Sequence, residues 1–107
     1  MRYVVDAPPG GDYYQWRLHA SDGRKIATSS ESFYSQTKAR TAASRFKSRC
    51  SSWNYEVYGN FQGIYRWRAK SEENEVLALS VESFSSRFDA RTSASSVQEN
   101  GARASGP

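Results

Sequence analysis

Apolar and polar residues alternate along two stretches of the chain, and each stretch predicts a strand with one buried face. In residues 14–20 every second side chain is apolar, with Trp16 the largest, and residues 65–69 repeat this around Trp67. A period of two residues is typical of a strand that packs one face on a core. The opposite positions form what we call the polar face: Gln15, Arg17, His19, Arg66, Arg68 and Lys70.

Further along each half, the apolar spacing becomes helical. In the first half the stripe is formed by Ala39, Ala42, Ala43, Phe46 and Cys50, and in the second by Ala90, Ala94 and Val97. Spacings of three and four residues predict a helix with one buried side. Ser35 and Ser86 stand where N-caps belong, and Gly101 stands where a C-cap belongs.

Turn residues separate the predicted strands. Asp22-Gly23 favours a two-residue hairpin because glycine accepts a positive φ, and Asn74 stands at the matching position of the second half. Short β-prone segments at residues 3–5, 25–29, 55–58 and 76–80 complete three strands before each helix.

The chain aligns with itself at an offset of 51 residues. Residues 14–47 match residues 65–98 at 14 of 34 positions without a gap. This predicts an internal duplication, with repeat one at 2–50 and repeat two at 53–101. We expect an α+β fold: two tandem β-β-β-α repeats that form a single antiparallel sheet with two helices packed on one face. The duplication would supply its own pseudo-dimer, so we expect a monomer, and residues 102–107 are predicted to be a disordered tail.

Composition narrows the class of protein. A chain of 107 residues has room for a single domain (residues 1–101). Its one cysteine excludes an intrachain disulfide, and no apolar signal segment or membrane-length run appears, so we expect a cytoplasmic protein. The net charge of +4 is concentrated in residues 1–52, which hold nine Lys or Arg and four Asp or Glu.

The order of these motifs resembles the YegP-like family. The motifs that carry the resemblance are Tyr14-x-Trp16-Arg17-Leu18, Asp22-Gly23, Ile26-Ala27-x-Ser29 and Phe33-x-Ser35. The resemblance implies a single antiparallel sheet with helices against it, and a strand after each helix that crosses to the neighbouring unit. The second copy departs from the pattern at Ala69 and at Glu73-Asn74. The family has no established biochemical function, so the resemblance implies a fold and no activity.

The polar face is the first candidate for function. If the helices cover only one side of the sheet, Arg17 and Arg68 face solvent and can bind an anionic ligand or a protein. The alternative is a solvated face on which each arginine pairs with a glutamate at position 31, 56 or 82. His19 has no metal-binding or catalytic partner nearby in sequence and is expected to be an exposed strand residue. Cys50 is expected to be a packed core thiol.

Helix one is the second candidate, because it carries five cations and no acid: Lys38, Arg40, Arg45, Lys47 and Arg49. Such a helix can follow a phosphate backbone, so RNA or DNA binding through the basic half is an alternative function. No nucleophile motif, phosphate-binding loop or zinc spacing appears. We therefore predict no catalytic residue, metal or cofactor, and we favour a small non-enzymatic binding module that uses the polar face.

Overall fold

Six strands and two helices make up the computed structural model, which describes residues 1–107. The strands are β1 (Arg2–Asp6), β2 (Gln15–His19), β3 (Lys25–Ser29), β4 (Asn54–Gly59), β5 (Tyr65–Lys70) and β6 (Val76–Ser80). The helices are α1 (Gln36–Ser48) and α2 (Arg87–Asn100), each followed by a short 3₁₀ turn. The α+β class predicted from the sequence is therefore confirmed.

All six strands join one antiparallel sheet, in the order β1-β2-β3-β6-β5-β4. The two central strands belong to different halves of the chain, and they pair Ala27 with Ser80, Thr28 with Leu79 and Ser29 with Ala78. Small side chains at the central positions allow close packing above the sheet. The sheet edges are β1 and β4.

The turns between β2 and β3 and between β5 and β6 adopt the same unusual backbone. Gly23 has φ +89°, and Asn74 is the single non-glycine residue with a positive φ, at +65°. Asparagine tolerates this region better than other residues with a Cβ. The expectation that Asn74 takes the place of the glycine is confirmed.

Serine hydroxyls cap the N-termini of both helices, as predicted. Ser35 Oγ accepts a hydrogen bond from Lys38 N at 3.1 Å, and Ser86 Oγ accepts one from Asp89 N at 3.0 Å. Each bond satisfies one of the amide groups that a helix leaves free in its first turn. Neither helix has the length and apolar content needed to cross a membrane.

Tryptophan side chains connect the sheet to the helices. Trp16 lies 4.8 Å from the ring of Phe46 on α1, and Trp67 Nε1 donates to Ser93 Oγ on α2 at 3.0 Å. Both tryptophans are at most 1% exposed. The alternation that placed them on the buried side of β2 and β5 is confirmed, and the polar face lies on the other side of these strands.

The segment after α2 differs from the predicted disordered tail. Ala104 is buried in the core, and Ser105 forms a parallel bridge to Arg2 on β1. Tyr3 N donates to Ser105 O at 2.8 Å, and Ser105 N donates to Met1 O at 3.1 Å. These bonds hold the segment because the edge of β1 offers free backbone groups. After α2, the crossing strand that the resemblance implies is present only as this one β-bridge.

Candidate functional site

The polar face is built by alternate residues of β2 and β5, and Trp16, Leu18, Trp67 and Ala69 between them are buried. Antiparallel pairing aligns Arg17 with Val4 on β1 and with Thr28 on β3, while Arg68 aligns with Glu56 and Leu79. The two arginines therefore occupy matching places on either side of the central strands.

Arg17 lies flat along its neighbours and does not project into solvent. Its Nη1 forms an ion pair with Asp6 Oδ1 on β1, and its Nη2 donates to Gln15 Oε1 at 3.2 Å. The side chain is 18% exposed. Asp6 was not among the partners expected from the sequence, although its alternation with Val4 and Arg2 along β1 places it on this face.

Arg68 makes the corresponding pair in the second half. Its Nε donates to Glu56 Oε1 at 2.8 Å, and its guanidinium lies 5.0 Å from the ring centre of Tyr58. Lys70 Nζ is 3.3 Å from the other carboxylate oxygen of Glu56. The hydrogen bond from Arg68, helped by Lys70, lowers the pKa of Glu56. Glu56 is the expected partner, whereas Glu82 pairs with Arg24 at 3.1 Å.

Neighbouring strands add further cations to the polar face. Arg2 on β1 aligns with His19, which also aligns with Lys25 on β3. Six cations thus accompany two carboxylates, Asp6 and Glu56, at the outward strand positions. The cations are Arg2, Arg17, Lys25, Arg66, Arg68 and Lys70. Three of them, Arg2, Lys25 and Arg66, take part in no ion pair.

His19 is more enclosed than an exposed strand residue. Its Nε2 is covered by protein and has no hydrogen-bond partner. Burial lowers the pKa of His19, and the nearby charges of Arg2 and Lys25 lower it further. Both effects favour the neutral imidazole, and the expectation of an exposed residue is wrong because Nε2 is enclosed by the protein.

Four of the five cations predicted for helix one lie in α1, and Arg49 is its C-cap. Arg45 Nη1 lies 3.4 Å from Glu75 Oε1, and Lys47 Nζ donates to Gly106 O at 2.8 Å. Both side chains also lie over aromatic rings at the edge of the hydrophobic core. Three of these cations remain exposed and outside any ion pair: Lys38 and Arg40 in α1, and Arg49 at its C-cap.

Cys50 is buried, as expected, but it begins the 3₁₀ turn after α1 instead of continuing that helix. Its Sγ lies 3.2 Å from both Tyr55 Oη and Val97 O. Burial raises the pKa of the thiol. Sequence reasoning missed this cluster of Cys50 with Tyr3, Tyr55 and Gly101, because its members come from distant parts of the chain.

Nowhere in the protein do three or more His, Cys, Asp or Glu side chains gather closely enough to hold a metal ion. The remaining concave surfaces include two grooves beside the helices, which the sequence did not reveal. Both grooves combine residues from the two halves of the chain.

The fold is similar to that of two solution NMR structures. One is a protein of unknown function, yegP from E. coli, with a TM-score of 0.76, 20% identity, and coverage of 97% of this chain and 88% of that chain. The other is a UPF0339 protein from Shewanella oneidensis, with a TM-score of 0.76, 19% identity, and coverage of 94% and 84%. No family model and no curated protein matches the sequence. The shared fold agrees with the resemblance to the YegP-like family.

Proposed function

We propose that this chain, which has the fold of YegP and of the UPF0339 protein, is a small non-enzymatic binding module whose polar face takes an anionic partner. The observation that carries this proposal is the imbalance of six cations against two carboxylates on that side of the sheet. An excess of one sign attracts partners of the other sign and speeds their encounter.

The proposal includes an architecture of two tandem repeats with both helices on the tryptophan side of the sheet. The packing of Trp16 on Phe46 and of Trp67 on Ser93 supports it, because alternation turns Arg17 away from these contacts. Residues of the two halves at an offset of 51 also make corresponding hydrogen bonds. Trp16 N donates to Ser29 Oγ, and Trp67 N donates to Ser80 Oγ.

The protonation and burial of the two most reactive side chains favour a binding function over a catalytic one. The raised pKa of Cys50 keeps its buried thiol neutral, and a neutral thiol is a poor nucleophile. Nε2 of His19 is covered by the protein, which restricts proton transfer at that nitrogen. Cys50 lies in the core, and His19 Nε2 has no hydrogen-bond partner to orient it.

The same features support a cytoplasmic monomer. A free buried thiol suits a reducing compartment. The halves already pair through β3 and β6, so the central sheet needs no second chain to complete it.

Nucleic-acid binding through helix one is the second candidate. It draws on Lys38, Arg40 and Arg49, which are exposed and take part in no ion pair. This set lies on a helix, whereas the polar face lies on the opposite side of β2 and β5 from the helix contacts. The two candidates therefore predict different effects for variants of equal charge.

Fluorescence anisotropy with labelled probes tests the proposal. The probes are a mixed-sequence single-stranded RNA, the corresponding DNA and a polyglutamate peptide, each at about 50 and about 200 mM salt. The face variant is Arg2→Gln with Arg66→Gln, and the matched helix variant is Lys38→Gln with Arg40→Gln. Both variants remove two positive charges, so a difference between them reports location.

We expect the native chain to bind at low salt and less tightly at high salt, and we expect only the face variant to weaken binding. For a single strand, removing one cation that touches a phosphate reduces the log–log salt slope by about 0.7. Equal weakening in both variants, or no binding at low salt, would contradict the proposal. Weakening confined to the helix variant would favour the second candidate instead.

A further inference from the structure

A small cavity lies between α1 and the centre of the sheet. It has a volume of about 60 Å³, and its apolar walls are formed by Trp16, Phe33, Phe46 and Leu77. Sites for whole small molecules enclose roughly 300–1,000 Å³. A space this small suits one side chain of a partner instead of a free metabolite.

The rim of this cavity is acidic although the protein is basic. Glu75 at the rim is paired with Arg45 at 3.4 Å, while Glu31 makes no ion pair. Two carboxylates therefore face one cation, in a chain whose net charge is +4. The unpaired Glu31 can accept a cation that enters the cavity.

A second groove lies beside α2; it is wider and more open, with a volume of about 470 Å³, and part of its lining corresponds to that of the first. It contains Glu82, Phe84 and Ile26, which match Glu31, Phe33 and Leu77 at the offset of 51. Both grooves thus combine an apolar wall with residues from the two halves of the chain.

The second groove has the same balance of charges as the first, although different residues supply those charges. Arg24 stands where the first groove has Glu75, and Ser96 stands where it has Arg45. Arg24 pairs with Glu82 at 3.1 Å, and Asp89 makes no ion pair. Each groove therefore has one arginine–carboxylate pair and one free carboxylate, although these residues stand at different repeat positions in the two grooves.

We infer that the first groove binds the side chain of a lysine from a partner protein, and the wider second groove serves as the comparison. The unbranched alkyl stem of lysine can lie along the apolar wall while its ammonium group meets the free carboxylate. The branched, planar guanidinium of arginine fits a narrow cavity less well. This interaction is separate from the polar face, which attracts the opposite charge.

The test uses three blocked tripeptides that differ at their central residue: lysine, norleucine or glutamate between two glycines. Amide chemical shifts of the ¹⁵N-labelled full chain report each groove separately, through Ser30 and Ala42 for the first and Phe84 and Ser93 for the second. Norleucine keeps the alkyl stem without the charge. The same titrations are repeated with Glu31→Gln and with Asp12→Asn, a control on the exposed β1–β2 loop.

The lysine peptide is expected to shift the amides of the first groove more strongly than the other two peptides do. Glu31→Gln should raise its dissociation constant at the first groove by about two- to fivefold, the worth of an exposed ion pair, and leave any shift at the second groove unchanged. Asp12→Asn should change neither. Equal binding of norleucine or glutamate at the first groove, no shift there, or equal effects of Glu31→Gln at both grooves would overturn the inference.

Discussion

The thiol of Cys50 packs against the backbone of Gly101, so that the ends of the two helices meet in the core. Two tyrosines hold this junction from the sheet edges. Tyr3 Oη donates to Gly101 O at 3.0 Å, and Tyr55 Oη donates to Cys50 O at 2.7 Å. Each tyrosine thus bonds to the helix end of the other half, which joins the halves beyond their shared strands.

Gly101→Ala is expected to destabilise the protein by about 1–3 kcal/mol, the range for an overpacked core. Gly101 has φ −60°, which any residue adopts, so the cost comes from space and not from backbone strain. A Cβ there would collide with Cys50 Sγ and crowd Tyr3 Oη. Urea unfolding measures the change in the free energy of unfolding.

Cys50→Ala provides the control for this contact, because it removes the sulfur that the new methyl group would meet. In that background Gly101→Ala should cost far less, and the two changes should be strongly non-additive. The same cost in both backgrounds would show that the collision is not the cause.

The matched serines of β3 and β6 should differ in importance. Ser29 Oγ accepts from Trp16 N at 3.3 Å and donates to Glu31 O at 2.8 Å, whereas Ser80 Oγ only accepts from Trp67 N at 3.1 Å. Ser29→Ala therefore leaves two backbone groups without a partner and Ser80→Ala leaves one, at about 1–3 kcal/mol for each group that is buried.

Chemical denaturation of the two serine variants measures this difference, with Ser44→Ala as a control on the exposed side of α1. The control should stay within about 0.5 kcal/mol of the native chain. If Ser80→Ala proves as costly as Ser29→Ala, the second hydrogen bond of Ser29 contributes nothing.

Local patterns in the sequence predicted the elements well, because each depends on a few neighbouring residues. The period of two around Trp16 placed β2, and the serines at positions 35 and 86 marked where the helices begin. Relationships between distant residues were harder to predict from the sequence. Gly101 was predicted as a helix C-cap on local grounds, and it is one, yet its small size matters because Cys50 approaches it from the other half.

In the candidate site, too, local patterns were predictable and relationships between distant residues were not. Alternation assigned Arg17 and Arg68 to the polar face, but the pairing of Arg17 with Asp6 required the register of β1 on β2. The enclosure of His19 Nε2 could not be read from the pattern of β2, because it arises only in the folded sheet. The grooves could not be foreseen, since their walls come from both halves and meet only in the folded sheet.

Glu56 should make the stability of the protein depend on pH in acid. Its pKa is lowered in the folded state by Arg68, from an unfolded value of about 4.3. A lowered pKa means that its contribution is present above about pH 4.3 and is lost as the pH falls through the folded value. The difference in stability between the native chain and Glu56→Gln should therefore shrink as the pH falls.

Urea unfolding midpoints from about pH 6 to about pH 3 measure that difference, across the range in which carboxylates titrate. Glu31→Gln is the matched control, because Glu31 makes no ion pair. A difference for Glu56→Gln that stays constant across the series would mean that its ion pair does not favour the charged carboxylate.

Truncation after Arg103 should destabilise the protein, although it removes only four residues at the end of the chain. Ala104 is buried against the core, and Ser105 O accepts the bond from Tyr3 N. Their removal uncovers apolar surface and leaves an edge amide without its partner, at a cost of about 1–3 kcal/mol. Truncation after Ser105 keeps both features and should be nearly neutral. Hydrogen exchange separates the two, because the amide of Tyr3 should stay protected in the longer chain and exchange readily in the shorter one; equal protection in both would show that the bond to Ser105 does not hold the edge of β1.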